Sequence, residues 1–131
     1  MARILVVDDD DSVRRSLRKT LEFLGHEVEE AVDGRAALEA YRAHPADLVI
    51  TDVYMPDTDG IEGTIRLLME FPDAKVIVMT GGGWVKREDM LADAKQLGAS
   101  GSLPKPFTVE EVANTVRQVL AGRADEDPNR G

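Results

Sequence analysis

Four aspartates, Asp8 to Asp11, follow directly on the apolar run Ile4 to Val7. Adjacent carboxylates repel and burying one unpaired is costly, so they face water or hold something positive among them. Three more residues of reactive type close short apolar runs: Asp52 after "LVIT", Thr80 after "VIVM" and Lys105 after "GSLP". Clustered carboxylates suit a hard, oxygen-seeking cation, Mg²⁺ above all, which keeps several waters and needs few protein ligands. A carboxylate is also a nucleophile toward phosphorus, giving an aspartyl phosphate. In that reaction an anion attacks an anion. A metal ion neutralises both, a lysine such as Lys105 can neutralise a further oxygen, and a hydroxyl such as that of Thr80 can hydrogen-bond another.

These residues act together only if the fold gathers them. "RILVVD", "DLVITD" and "KVIVMT" read as buried strands, "HEVEEA" as a weaker edge strand, and "SGSLPKPF" as a short strand broken by two prolines. Between them lie helical patterns. Val13, Leu17, Leu21 and Leu24 recur at helical spacing, with Asp11 or Ser12 as N-cap, Asp10 as loop charge and Gly25 as the stop. "DGRAALEAYRAHP" is a short amphipathic helix ending before Pro45, and "IEGTIRLLMEFP" puts Ile61, Ile65, Leu68 and Met69 on one side. "REDMLADAKQLGA" forms a fourth helix. "TVEEVANTVRQVLAG" forms a fifth, opened by a capping box of Thr108 and Glu111, with Val112, Val116, Val119 and Leu120 on its apolar face. Strict alternation of five strands and five helices predicts an α/β fold, a five-stranded parallel sheet with helices on both faces. Ligands of such doubly wound sheets bind beyond the carboxyl ends of the strands. Asp8, Asp9, Asp52, Thr80 and Lys105 all fall at such ends.

With 131 residues the chain has the size of one domain, expected over 1–122, with the polar stretch 123–131 as a disordered tail. Hydrophobic residues make up 43% and aromatics only 5%, so the core must be chiefly Val, Leu, Ile, Ala and Met. A net charge of −9 makes direct binding to nucleic acid or an anionic membrane unfavourable. The absence of cysteine excludes disulfides, zinc thiolates and thiol catalysis. No apolar run is long enough for a bilayer span, and the first residues lack a signal-peptide segment, so the expected location is the cytoplasm. His26 and His44 flank loops and read as surface residues.

Taken in order, "LVVDD", "LVITDVYMPDTDG", "VIVMTGG" and "LPKPF" resemble the receiver domain of two-component response regulators, the CheY-like fold, from about Ile4 to Leu120. The resemblance implies Asp52 as phosphoacceptor, Asp9 as a direct Mg²⁺ ligand and Asp8 as one acting largely through water. It implies the Tyr54 carbonyl as a further ligand, Thr80 on the phosphoryl group, and Lys105 paired with its charge beside a Lys105–Pro106 peptide that is often cis. Pro56 and Gly60 would shape the loop after Asp52. The implied function is that of a stand-alone response regulator, not a classical enzyme, catalysing only its own phosphorylation and dephosphorylation. It would take its phosphoryl group from a sensor histidine kinase or histidine phosphotransfer protein. It would signal through an unidentified protein target or an onward phosphorelay.

Two features depart from the family pattern. Ser102 stands three residues before the lysine, where an aromatic ring is usual, and "GGGWVKRED" after Thr80 is long and carries the only tryptophan, Trp84. The alternatives are a Mg²⁺-dependent phosphatase of the haloacid dehalogenase type, a flavin-binding module, and a degenerate receiver acting by binding alone. The first wants a second acidic residue where Tyr54 stands. The second would have its cofactor phosphate repelled by the aspartates. The complete Asp52, Thr80 and Lys105 set argues against the third.

Overall fold

The structure, a computed structural model, describes residues 2–52, 59–80 and 98–122, with the side chains of residues 59–61 and 80 set aside. Strands β1 (Arg3–Val7), β2 (Glu27–Ala31), β3 (Leu48–Asp52), β4 (Val76–Thr80) and β5 (Gly101–Pro104) form one parallel sheet in the order β2-β1-β3-β4-β5. The described helices are α1 (Asp11–Phe23), α2 (Gly34–Ala43), α3 (Asp59–Glu70) and α4 (Val109–Leu120). The predicted helix over 87–99, but for its last two residues, lies outside the described residues, as do Tyr54, Pro56, the glycine-rich loop with Trp84, and the tail.

Successive strand residues point to opposite faces, so each apolar run divides into two sets. Ile4, Val6, Leu48, Ile50, Ile77, Met79 and Leu103 meet Leu17 and Leu21 of α1 and Val112, Val116 and Val119 of α4. Leu5, Val7, Val49, Val76 and Val78 meet Ala37, Leu38 and Tyr41 of α2 and Leu67 of α3. Both faces are covered, which is why the central strands are apolar through their middles. β2, at the edge, carries charge along its length, as the sequence pattern predicts.

Helix α1 is capped one residue before Asp11 and two before Ser12, the expected caps. Asp10 is the N-cap: its Oδ1 accepts from the backbone N–H of Ser12 at 2.9 Å and of Val13 at 3.3 Å, and from the Ser12 hydroxyl at 2.8 Å. The Ser12 hydroxyl and these two backbone N–H groups hold the Asp10 carboxyl below its ordinary range. Asp11 is already helical, so its carboxylate turns out to the Arg14 guanidinium instead of back to the backbone. At the other end Gly25 adopts φ +93°, the left-handed conformation that stops a helix, as expected. The capping box of Thr108 and Glu111 at α4 is present in both halves.

The apolar side of α3 differs from the prediction. Thr64 and Leu67 are buried, whereas Ile65 is 41% and Met69 78% exposed. The reason lies at Gly63, where a Cβ would stand 2.6 Å from the Gly34 Cα. Helix α3 meets α2 along the row of 63 and 67, one turn apart. Residues 65 and 69, also one turn apart, are thereby left to water. His26 is half-buried rather than a surface residue: its Nδ1 accepts from the Ala2 N–H at 3.1 Å, and burial lowers its pKa.

Candidate functional site

The sheet order reverses beside β1. Its crossover through α1 leads outward to β2, while β3 and the later strands lie on its other side. In sheets of this kind the crevice at such a reversal is where ligands bind. Val7 is in register with Thr51, so the next residues, Asp8 and Asp52, come side by side at the carboxyl edge. Asp8 is fully buried, Asp52 is 9% exposed, and Asp9 faces solvent. Each of the three offers a carboxylate oxygen, and these oxygens lie within 4.8 Å of one another.

Lys105 reaches into this group from the end of β5. Its Nζ donates to Asp52 Oδ2 at 2.7 Å and to Asp8 Oδ2 at 3.0 Å. The adjacent Lys105–Pro106 peptide is cis. The like charges of the opening residues are thus offset by an ammonium held between two of the carboxylates. Burial pushes the Asp8 carboxyl up, against the pull of the Asp10 N–H and of Lys105. Burial alone would lower the pKa of Lys105, but its hydrogen bonds to Asp52 and Asp8 outweigh that and raise it. Asp8 Oδ1 also accepts from the Asp10 N–H at 2.9 Å, so the residue that caps α1 also fixes the carboxylate at the sheet edge.

The four sequence-predicted groups with described side chains, Asp8, Asp9, Asp52 and Lys105, therefore come together. The backbone of Thr80 ends β4, in register with Pro104 on the β5 side. Its side chain, and the whole of Tyr54, lie outside the described residues. Ser102 lies in β5 opposite Val78, half-buried between the buried Gly101 and Leu103. The donor set fits a hard divalent cation: carboxylate oxygens from two adjacent strand ends, one carboxylate open to water, and no nitrogen or sulfur ligand among them.

One contributor escaped the sequence reading. Arg14 Nη1 donates to the Asp8 carbonyl oxygen at 2.8 Å, while its Nε donates to Glu30 Oε1 at 2.8 Å. The signal was in β2. Glu30 is two residues beyond Val28, so it shares the face that packs on α1, and an acid on that face calls for a base from the helix.

Residues 4–117 match the family model of the response regulator receiver domain. A response regulator named MprA from Mycolicibacterium vanbaalenii is 42% identical over 125 residues, covering 95% of this chain and 53% of that protein. The chain thus spans about half the length of the curated relatives it matches. Among solved structures, the chemotaxis response regulator CheY4 of Vibrio cholerae aligns with a TM-score of 0.79 at 33% identity, covering 91% of this chain and 98% of that one. A two-component response regulator of the LuxR family from Aurantimonas sp. SI85-9A1 gives 0.86 at 30% identity, covering 98% and 91%. The chain belongs to the response regulator receiver domain family, and its fold is CheY-like. Receiver domains are signalling phosphoacceptors, supplied by histidine kinases, with an acidic pocket for Mg²⁺. With the family fixed, the phosphatase and flavin readings fall away. No described helix is long and apolar enough to cross a membrane.

Proposed function

We propose that this receiver domain takes a phosphoryl group from a phosphohistidine onto Asp52 in a Mg²⁺-dependent reaction. The observation that carries the reading is the placement of Lys105 Nζ between Asp52 and Asp8, beside a third carboxylate on Asp9. An oxygen of Asp52 forms the new bond to phosphorus as the bond from phosphorus to the donor imidazole nitrogen breaks. Asp8, Asp9 and Asp52, with the carbonyl of Tyr54, would hold Mg²⁺, which supplies neutralising charge to the carboxylate and the phosphoryl oxygens. Lys105 pairs with a phosphoryl oxygen, and the Thr80 hydroxyl donates to another. Hydrolysis of the aspartyl phosphate at the same site returns the domain to its starting state.

Phosphorylation then biases a two-state equilibrium that a protein partner reads. We propose that this output passes, in the cytoplasm, to a downstream protein target or to the next carrier in a phosphorelay.

Intact-mass spectrometry after incubation with Mg²⁺ and acetyl phosphate tests the chemistry. The expected result is one added phosphoryl group on wild type, none on Asp52→Asn, and none on wild type once the metal is chelated. Wild type that takes no adduct and forms no beryllofluoride complex would be a degenerate receiver.

A further inference from the structure

We propose that Arg14 is a positioning residue for the cation site, holding the Asp8–Asp9 peptide so that the Asp9 carboxylate leaves the chain toward Asp8 and Asp52. This inference rests on the phosphoacceptor reading. The Asp8 carbonyl and the Asp9 N–H belong to one planar peptide, so fixing that oxygen fixes the direction in which Asp9 departs. Asp9 is exposed, and its place depends on its backbone more than on packing. Arg14 is suited to the task because its own side chain is only 12% exposed and its fork is engaged three ways. Nη1 donates to the Asp8 carbonyl, Nε to Glu30, and Nη2 to Asp11 Oδ1 at 2.5 Å. Glu30 is itself anchored, since its second oxygen accepts from Arg18 Nη1 at 2.6 Å. A rigid planar fork can serve three acceptors from three segments, which an ammonium on a flexible stem does not reproduce.

The sign of the effect separates positioning from simple charge. Arg14 is a cation close to a cation site, so its removal should tighten metal binding if only Coulomb repulsion matters. If Arg14 positions Asp9, its removal should weaken binding. Partners that orient ligands in this way are typically worth about tenfold or more in metal affinity. Arg18 supplies the control, because it shares Glu30 but does not touch the Asp8 carbonyl.

The experiment is a titration with Mn²⁺ alone, followed by the electron paramagnetic resonance of the free ion, on wild type, Arg14→Ala, Arg18→Ala, Glu30→Gln and Asp9→Asn. Metal-free thermal midpoints are measured on the same samples, and titrations are run where every variant is folded. Arg14→Ala is expected to lose about tenfold or more in Mn²⁺ affinity. Arg18→Ala should stay near wild type. Unchanged or tighter binding by Arg14→Ala, or equal weakening by both arginine variants, overturns the proposal. Should Arg14→Ala fail to fold, Glu30→Gln, which leaves Arg14 unbraced, decides: weaker binding supports positioning and unchanged binding refutes it. Wild type that binds no Mn²⁺ would sink the phosphoacceptor reading and this inference with it. Wild-type binding matched by Arg14→Ala sinks the inference alone.

Discussion

On the α1 side of the sheet, Arg14 and Arg18 share the two oxygens of Glu30 and one of them holds a carbonyl at the site. On the opposite side, α2 and α3 are drawn together at Gly34 and Gly63, and their charged pair, Arg42 with Glu70, lies out in solvent. Both helix layers cover apolar strand faces of the same kind, yet charge is used differently in each. Beside the site, partly buried ions orient a loop. Away from it, close backbone approach sets the packing, and the exposed ion pair adds little, because water and salt screen it.

This contrast can be broken most forcefully through α3. Leu67→Ala, at a side chain only 3% exposed, is expected to cost about 2–5 kcal/mol in urea unfolding. Met69→Ala on the same helix should change stability by less than about 0.5 kcal/mol. A large loss at Met69 with little at Leu67 would mean that α3 is turned as the sequence pattern had it. A smaller effect is expected at the α2–α3 contact. Gly63→Val must push the helices apart and should cost about 1–3 kcal/mol, while the folded protein still takes one phosphoryl group. Loss of phosphoryl uptake by a folded Gly63→Val protein would show that the two sides are not separable as drawn.

The smallest effect sharpens the comparison through pH. Glu30 is held below the ordinary glutamate range chiefly by its hydrogen bond from Arg18; burial opposes this, and the hydrogen bond from Arg14 adds to it. A carboxyl lowered in the folded state binds fewer protons there than in the unfolded chain. Its contribution to stability is therefore complete above the ordinary glutamate range and is lost as the pH falls through and below it. The thermal midpoint of wild type should exceed that of Glu30→Gln at neutral pH, and the gap should shrink on acidification. A gap independent of pH would mean that the glutamate acts by shape and not by charge.

The sheet was legible because burial on both faces leaves an unmistakable record: "ILVV", "LVI" and "VIVM" have no polar interruption, and each lies within a described strand. The gathering of Asp8, Asp52 and Lys105 followed from strand ends, since parallel strands in register must present their carboxyl ends together. What was not legible depended on contacts between helices. The rotation of α3 is set by the glycine at 63 meeting the glycine at 34, and neither residue announces its partner. The cap of α1 was misplaced within a run of four aspartates, where composition is uniform and only backbone geometry distinguishes Asp10 from Asp11. Arg14 was passed over because it lies beside the apolar stripe, and its role depends on an edge strand with which it shares no local pattern.

Helix α4 starts near the carboxyl edge, just after Lys105 and Pro106, and its last carbonyl, that of Leu120, accepts from Lys75 Nζ at 3.2 Å where β4 begins. Its twelve residues span about 18 Å from one edge of the sheet to the other. The peptide leaving this helix is thus delivered to the amino edge, opposite the carboxylates. A partner bound at that end would sit on the far side of the domain from Asp52. A chemical event at Asp52 would then have to be conveyed through the full thickness of the domain, with α4 as a stiff strut along that route.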